Sequence, residues 1–348
     1  MAQRVPPLDY LATLSDDVGV IQHANENVPN RSTGYCTDDV ARALIVAVAR
    51  MRIDPGDDRA GALGSTYLSF LVDAQCEDGR FHNFMSYDRR WLDELGTQDS
   101  NGRALWGLGY ALRYAPDARW RRVAQRAFRR GLACVDWLGH PLAEAYAVLG
   151  LAHAHEAEAH AAYAAALRTL AGRSLERLAA ASDATWTWFG DEMTYDVARL
   201  PEALLRAGAA LGERQYTEGG LLALAFYESI ALEGGVFVPI GNRGWYRRGG
   251  ERPRYDQQPL EAAAMVDAEL AALDATGEKT HRAAARLAMA WFEGENSEGI
   301  VMEHGGGCYD GLGAGSANRN MGAESTLAAL AAAYALATRR KSDIAVAR

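Results

Sequence analysis

Three observations in the amino-acid sequence predict an all-α fold, a ring of six helical hairpins. Ala- and Leu-rich segments with helical periodicity fill most of the 348 residues, and runs of β-branched residues are scarce. Six of these segments open on polar or acidic residues and then turn small and apolar. Their starts lie about 40 to 65 residues apart, a spacing that suits repeated helical hairpins. Between them run five amphipathic helices. An inner ring buried on all sides and an outer ring facing water account for both kinds.

In chain order, residues 8–14 or the C-terminal tail supply a twelfth helix. The first inner helix starts at Thr37-Asp-Asp-Val, where Val40, Leu44, Val48 and Met51 recur at three- and four-residue steps. An amphipathic helix over 58–75 follows, then the inner start Asp99-Ser-Asn-Gly-Arg-Ala-Leu-Trp. Over 118–137, Trp120, Val123, Phe128, Leu132 and Val135 form one stripe. Arg119, Arg122, Arg126, Arg129 and Arg130 lie mostly away from it, as a solvated outer face does. Further inner starts are Pro141-Leu-Ala-Glu, Asp196-Val-Ala-Arg, Asp256-Gln-Gln-Pro-Leu-Glu and Met321-Gly-Ala-Glu, with amphipathic helices over 158–181, 213–232 and 278–294. Residues 80–84, 186–189, 234–254 and 305–320 break the pattern and read as turns and short extended pieces. Each leads into an acidic helix start, which gathers these connectors on one rim. No Pro- or Ser-rich linker divides the chain, so one domain over 1–348 is expected.

With 36 Lys+Arg against 45 Asp+Glu the net charge is −9, which gives nucleic acid or an anionic membrane nothing to hold. No apolar run approaches the ~20 residues that span a bilayer. The first seven residues lack the basic and apolar regions of a signal peptide. Cys36, Cys76, Cys134 and Cys308 are scattered without a CxxC pair, as expected of reduced thiols in a cytoplasm. No HExxH or paired Cys/His spacing is present, so no metal is expected. The Gly-rich stretch after His304 follows no strand and lacks Lys-Ser/Thr, so no phosphate-bearing cofactor is expected either.

The chemistry is sought at the helix starts. For Asp38 and Asp99, capping of free N–H groups and function are equally good readings. Asp39, Arg42, Arg103 and Arg199 occupy first turns of helices that otherwise read as buried. Such charges either pair as Asp–Arg bridges or face a water-filled cavity. In Asp256-Gln-Gln-Pro-Leu-Glu261, Pro259 suits a first helical turn and leaves acceptors and amides at the mouth, suited to a polyhydroxylated ligand. A capping arrangement there is the alternative. Aromatic residues such as Phe84, Tyr87, Trp186, Trp188 and Trp245 fall in the same connectors beside carboxylates. That combination fits glycoside hydrolysis of an oligosaccharide, which needs one carboxylic acid and one carboxylate, here expected in the central cavity of the ring. Asp39, Asp99, Asp256 and Glu261 form the expected catalytic pool, with Asp191 and Glu324 in reserve. His82, Tyr87, Asp88, Arg103, Trp188, Gln257 and His304 are expected substrate contacts. Two alternatives stay open: a sugar epimerase or isomerase using His82 or His304, and a non-catalytic glycan-binding partner of a glycosyltransferase.

Six inner helices with acidic, aromatic-rich connectors resemble the (α/α)6 toroid of the six-hairpin glycosidase superfamily. Closer still, five strings resemble a bacterial family found beside, or fused to, glycogen-synthase-like glycosyltransferases. They are Asp17-Val-Gly-Val-Ile-Gln-His-Ala, Gly34-Tyr-Cys-Thr-Asp-Asp-Val-Ala-Arg-Ala-Leu, Asp78-Gly-Arg-Phe-His-Asn-Phe-Met-Ser-Tyr-Asp-Arg-Arg-Trp, Asp99-Ser-Asn-Gly-Arg-Ala-Leu-Trp and Tyr255-Asp-Gln-Gln-Pro-Leu-Glu-Ala. The resemblance implies the toroid, an oligosaccharide or polysaccharide substrate and a glycosyltransferase partner.

Overall fold

A computed structural model describes residues 5–346. Among them are twelve α-helices: α1 (Asp9–Leu14), α2 (Thr37–Ile53), α3 (Asp58–Asp73), α4 (Gln98–Tyr114), α5 (Ala118–Gly131), α6 (Pro141–Ala157), α7 (Ala161–Ala181), α8 (Arg199–Leu211), α9 (Arg214–Ala231), α10 (Pro259–Thr276), α11 (Lys279–Ala290) and α12 (Ala323–Val346). The even-numbered helices pack each on the next, and α12 closes back onto α2. Each odd-numbered helix from α3 to α11 folds back outside the helix before it, while α1 packs on α12. The twelfth helix is therefore α1, and the whole is an (α/α)6 toroid.

Burial follows the two sequence patterns. From Leu260 to Val266 every residue of α10 is buried, because neighbours cover it on every side. In α5 only Ala124, Ala127, Phe128 and Gly131 are buried, and Arg119, Arg122, Arg126, Arg129 and Arg130 face water. The closest packing is α4 on α6. A Cβ on Gly109 would sit 2.2 Å from the Gly150 carbonyl oxygen, and one on Gly150 would sit 2.4 Å from that of Leu105. Backbone touches backbone there, and only glycine permits it.

Because every hairpin returns the chain to the same side, all six inner helices run in one direction. Connectors leaving the inner helices are tight, such as residues 212–213 and 277–278. Those entering them are long and hold all the β-strand segments among the described residues, every one in a two-stranded antiparallel ladder. Some ladders join different connectors: Tyr35–Cys36 pairs with Phe84–Met85, and Glu192–Met193 with Tyr246–Arg247. The rim at the inner-helix N-termini is thus woven together. No helix among the described residues is long and apolar enough to cross a membrane.

Candidate active site

The first turns of the inner helices carry a buried ionic network. Thr97, rather than Asp99, caps α4 by accepting from the Ser100 N–H at 3.2 Å, and α2 has no side-chain cap. Both aspartates are therefore free for other partners. Arg42 on α2 donates to Asp39 at 2.7 Å and to Glu324 on α12 at 2.9 Å. Arg103 on α4 donates to the Tyr146 hydroxyl at 2.6 Å and to Asp196 at 3.1 Å, and stands 3.6 Å from Asp38. Arg199 on α8 reaches Asp196 (3.3 Å), Glu202 (2.7 Å) and Asp267 (2.8 Å). Burial works against the charge on Arg42, but Glu324, Asp39 and Asp38 hold its pKa above the ordinary range. A cavity of about 40 Å³ lies inside this network, bordered by Arg42, Arg103, Trp106, Asp196, Arg199 and Asp267. Salt bridges thus cross the ring at the first turns of the inner helices, and toward the C-terminal ends a second cavity of about 320 Å³ lies between them, bordered by Trp106, Tyr110, His153, Glu202 and Asp267.

Asp196 is the hub. Its φ of 50° is a left-handed conformation that few side chains tolerate, aspartate among them. Its backbone N–H donates to Glu261, as does that of Val197 at 3.1 Å. Glu261 is 1% exposed, and burial with the Asp196 charge pushes its pKa up to about 8 against the pull of those N–H groups.

Open space lies above the network. A polar cavity of about 370 Å³ is bordered by Asn242, Arg243, Asp256, Gln258, Asp310 and Asn318, among others. Its wall is the hairpin of Gly311–Gly313 and Ser316–Asn318, tied to the start of α10 by reciprocal Gln257–Leu312 backbone bonds of 2.9 and 2.8 Å. Asp256 accepts from Arg243 Nε at 3.0 Å, and Asp310 from Asn318 Nδ2 at 3.1 Å. Burial, then the Glu324 charge, raises the Asp310 pKa, while His23 pulls it down. One cavity thus holds a carboxyl whose pKa burial raises and a second that is ion-paired.

Across the ring, Asp99 accepts from the Tyr195 hydroxyl and stands 3.4 Å from His140 Nδ1. Burial raises its pKa, but hydrogen bonds from His140 and Tyr195 outweigh that and hold it low. The hydrogen bond to Asp99 in turn raises the His140 pKa. His140, Tyr195, Asp191 and Trp188 border a cavity of about 210 Å³.

Asp39, Glu324 and Arg103 thus join the central network, Asp256 lines the larger rim cavity and Asp191 the smaller one, and Asp99 stands behind the smaller one on Tyr195 and His140 of its lining. Other expected contacts are placed differently. Trp188 is 1% exposed and packs edge-on against Phe189, so it is wall rather than stacking platform. Gln257 is fully buried, its amide occupied by Trp291, Ser297 and the Arg254 carbonyl. His82 stacks on Trp91 at 4.9 Å and bonds the Asp93 carbonyl, and exposed His304 bonds the Val301 carbonyl. Neither borders the cavities described above. Tyr87 stacks on Tyr35, and Asp88 is used within its own turn by Ser86 and Arg90. For the polar residues the reason is common: connectors must satisfy their own polar groups before they can serve a ligand.

Asp310, Asp196 and His140 were not among the expected site residues. Asp310 sits in the Gly-rich stretch, where glycine reads only as loose backbone. His140 stands beside Pro141 and reads only as a residue before a helix. Asp196 opened one of the six helix starts, and that was its signal.

No family model matches the chain, and no curated protein matches it. Solved structures do. A cellobiose 2-epimerase from Bacillus thermoamylovorans superposes with a TM-score of 0.74 at 11% identity, covering 96% of this chain and 96% of that one. A sugar epimerase from a ruminal bacterium gives 0.71 at 14% identity over 95% of each chain. A family 76 α-mannanase from Bacteroides thetaiotaomicron gives 0.68 at 10% identity, covering 96% of this chain and 94% of that one. At these identities the likeness establishes the (α/α)6 toroid fold that this chain shares with them.

Proposed function

We propose that this chain is a carbohydrate-active enzyme, a glycoside hydrolase working at the N-terminal rim of the toroid. The observation that carries the reading is the pair Asp310 and Asp256 in one polar cavity. Asp310, whose pKa burial and Glu324 raise, is the general acid that protonates the leaving glycosidic oxygen. Asp256, ion-paired to Arg243, serves as the second carboxylate, attacking the anomeric carbon or taking a proton from the attacking water. Arg243, Gln258, Asn242 and Asn318 offer hydrogen bonds to sugar hydroxyls. The mannanase and other hydrolases of the same fold support this class of chemistry. Four unpaired cysteines, three of them buried, support a reducing compartment. The glycosyltransferase implied by the resemblance is the partner in this reading.

Purified protein should be screened against oligosaccharides, with products followed by chromatography. On a cleaved substrate Asp310→Asn and Asp256→Asn should each lower kcat about 10²-fold or more without lowering Tm. Full activity in both variants would remove the assignment.

The half-exposed His140–Asp99 pair favours a second reading, a sugar epimerase or isomerase with a histidine acid/base. Deuterium uptake from solvent into the sugar without cleavage, lost in His140→Asn, would favour it over hydrolysis. Epimerases of the same fold support it.

A further inference from the structure

Outside the rim, three side chains from three helices converge: Glu228 near the end of α9, Glu269 on α10 and His281 in the first turn of α11. Their ligand-type atoms all lie within 4.8 Å of one another. Two of these helices form one hairpin, and α9 belongs to the hairpin before it. None of the three residues borders the rim cavities.

Glu269 is fully buried. Its Oε2 meets His281 Nδ1 at 2.7 Å, and its Oε1 has no hydrogen-bond partner. A buried carboxylate oxygen without a donor costs free energy, and a neighbouring carboxylate adds repulsion. Glu228 is that neighbour; burial, then a hydrogen bond between the two carboxyls and the Glu228 charge, push the Glu269 pKa up to about 10. A cation between the groups would take the place of the proton that the two carboxyls otherwise share, and would serve the unpartnered oxygen as well.

We propose that Glu228, Glu269 and His281 form a binding site for a first-row divalent cation of the zinc class, clipping α9, α10 and α11 together. Two carboxylate oxygens and one imidazole suit such an ion, with water in the fourth position. Calcium, with its six to eight oxygen ligands, suits the set poorly. Ligand atoms around zinc stand ~3.4 Å apart, from tetrahedral bonds of about 2.1 Å. The wider pairs, at most 4.8 Å apart, therefore have to close and the Glu269–His281 pair to open from 2.7 Å, which side-chain rotation of half-buried Glu228 and His281 allows. Their partial exposure is also the way in for the ion. The sequence hides the site because its ligands lie 41 and 12 residues apart, outside any short metal motif. It revises the expectation of no metal, and it stands independently of the rim chemistry.

The full-length protein, treated with a chelator and dialysed, should be titrated with Zn²⁺ by calorimetry and followed by thermal melting. One equivalent should bind and Tm should rise with Zn²⁺. His281→Gln and Glu269→Gln should each weaken binding at least ~10-fold and abolish the Tm rise. Zn²⁺ binding unchanged in both variants, or no saturable binding to the parent protein, would overturn the site. His281 lies in the first turn of an outer helix and is partly exposed, so His281→Gln keeps the test decisive if Glu269→Gln fails to fold. Ca²⁺ binding more tightly than Zn²⁺ would overturn the cation class.

Discussion

Arg103 brings one guanidinium to Asp196, Asp38 and the Tyr146 hydroxyl, and its planar group lies 4.0 Å over the Tyr146 ring. The sequence left two readings for such arginines, salt bridges or a cavity lining. The structure combines them, since the bridged side chains themselves border the small central cavity. Arg103→Met keeps much of the volume but takes its cation from Asp38 and leaves buried Asp196 with Arg199 alone. Removing one partner of a buried ion pair costs about 3–5 kcal/mol, so urea unfolding followed by circular dichroism should show a loss of that order. A loss below about 1 kcal/mol would mean that the network relaxes or takes up water. Glu144 shows the limit of reading such residues by position. It occupies the same place at the start of α6, yet it turns outward to Arg173 and Arg177 of α7. A helix start fixes where a side chain begins, whereas the packing of its neighbours decides which way it points.

Helices set in contact by glycine respond to a methyl group in opposite ways. Gly109 on α4 has the Gly150 carbonyl 2.2 Å from where a Cβ would lie, whereas Gly61 on α3 has nothing within 4 Å. Gly109→Ala should therefore destabilise by about 1–3 kcal/mol, because backbone has to move. Gly61→Ala should stabilise by about 0.5–1 kcal/mol through helix propensity and a less flexible unfolded chain. Denaturant midpoints of the two variants check both signs. The five amphipathic helices were readable from their stripes, because one face meets water and the other the ring. The identical residue type at 61 and 109 was not readable, because only the distance to the neighbouring helix separates them.

The molecule as a whole carries an unusual set of buried carboxyl groups. Burial is the first cause in each: it pushes Glu202 up to about 7, Glu261 to about 8 and Glu269 to about 10, from 4.5 in the unfolded chain. The folded protein holds protons that the unfolded chain has lost, so this stabilisation disappears as pH rises through those values. His153 acts in the other direction. Burial and three nearby arginines keep it neutral, so it costs stability below its unfolded pKa of 6.5. Tm should fall steadily from pH 7 to pH 9; a rise over that interval would reverse the sign of the argument. By itself the sequence determined the alternation of buried and amphipathic helices, and with it the toroid and the rim on which the acidic starts gather. Helical periodicity is a local property, and the direction of every hairpin follows from it. Tertiary structure decided which carboxylates share a cavity. It set Asp310 and Asp256 on one cavity, crossed the ring's centre with three arginines, and brought Glu228, Glu269 and His281 together from three helices. Those juxtapositions depend on how far apart neighbouring hairpins lie and on how the connectors fold back over them, neither of which any stretch of sequence encodes alone.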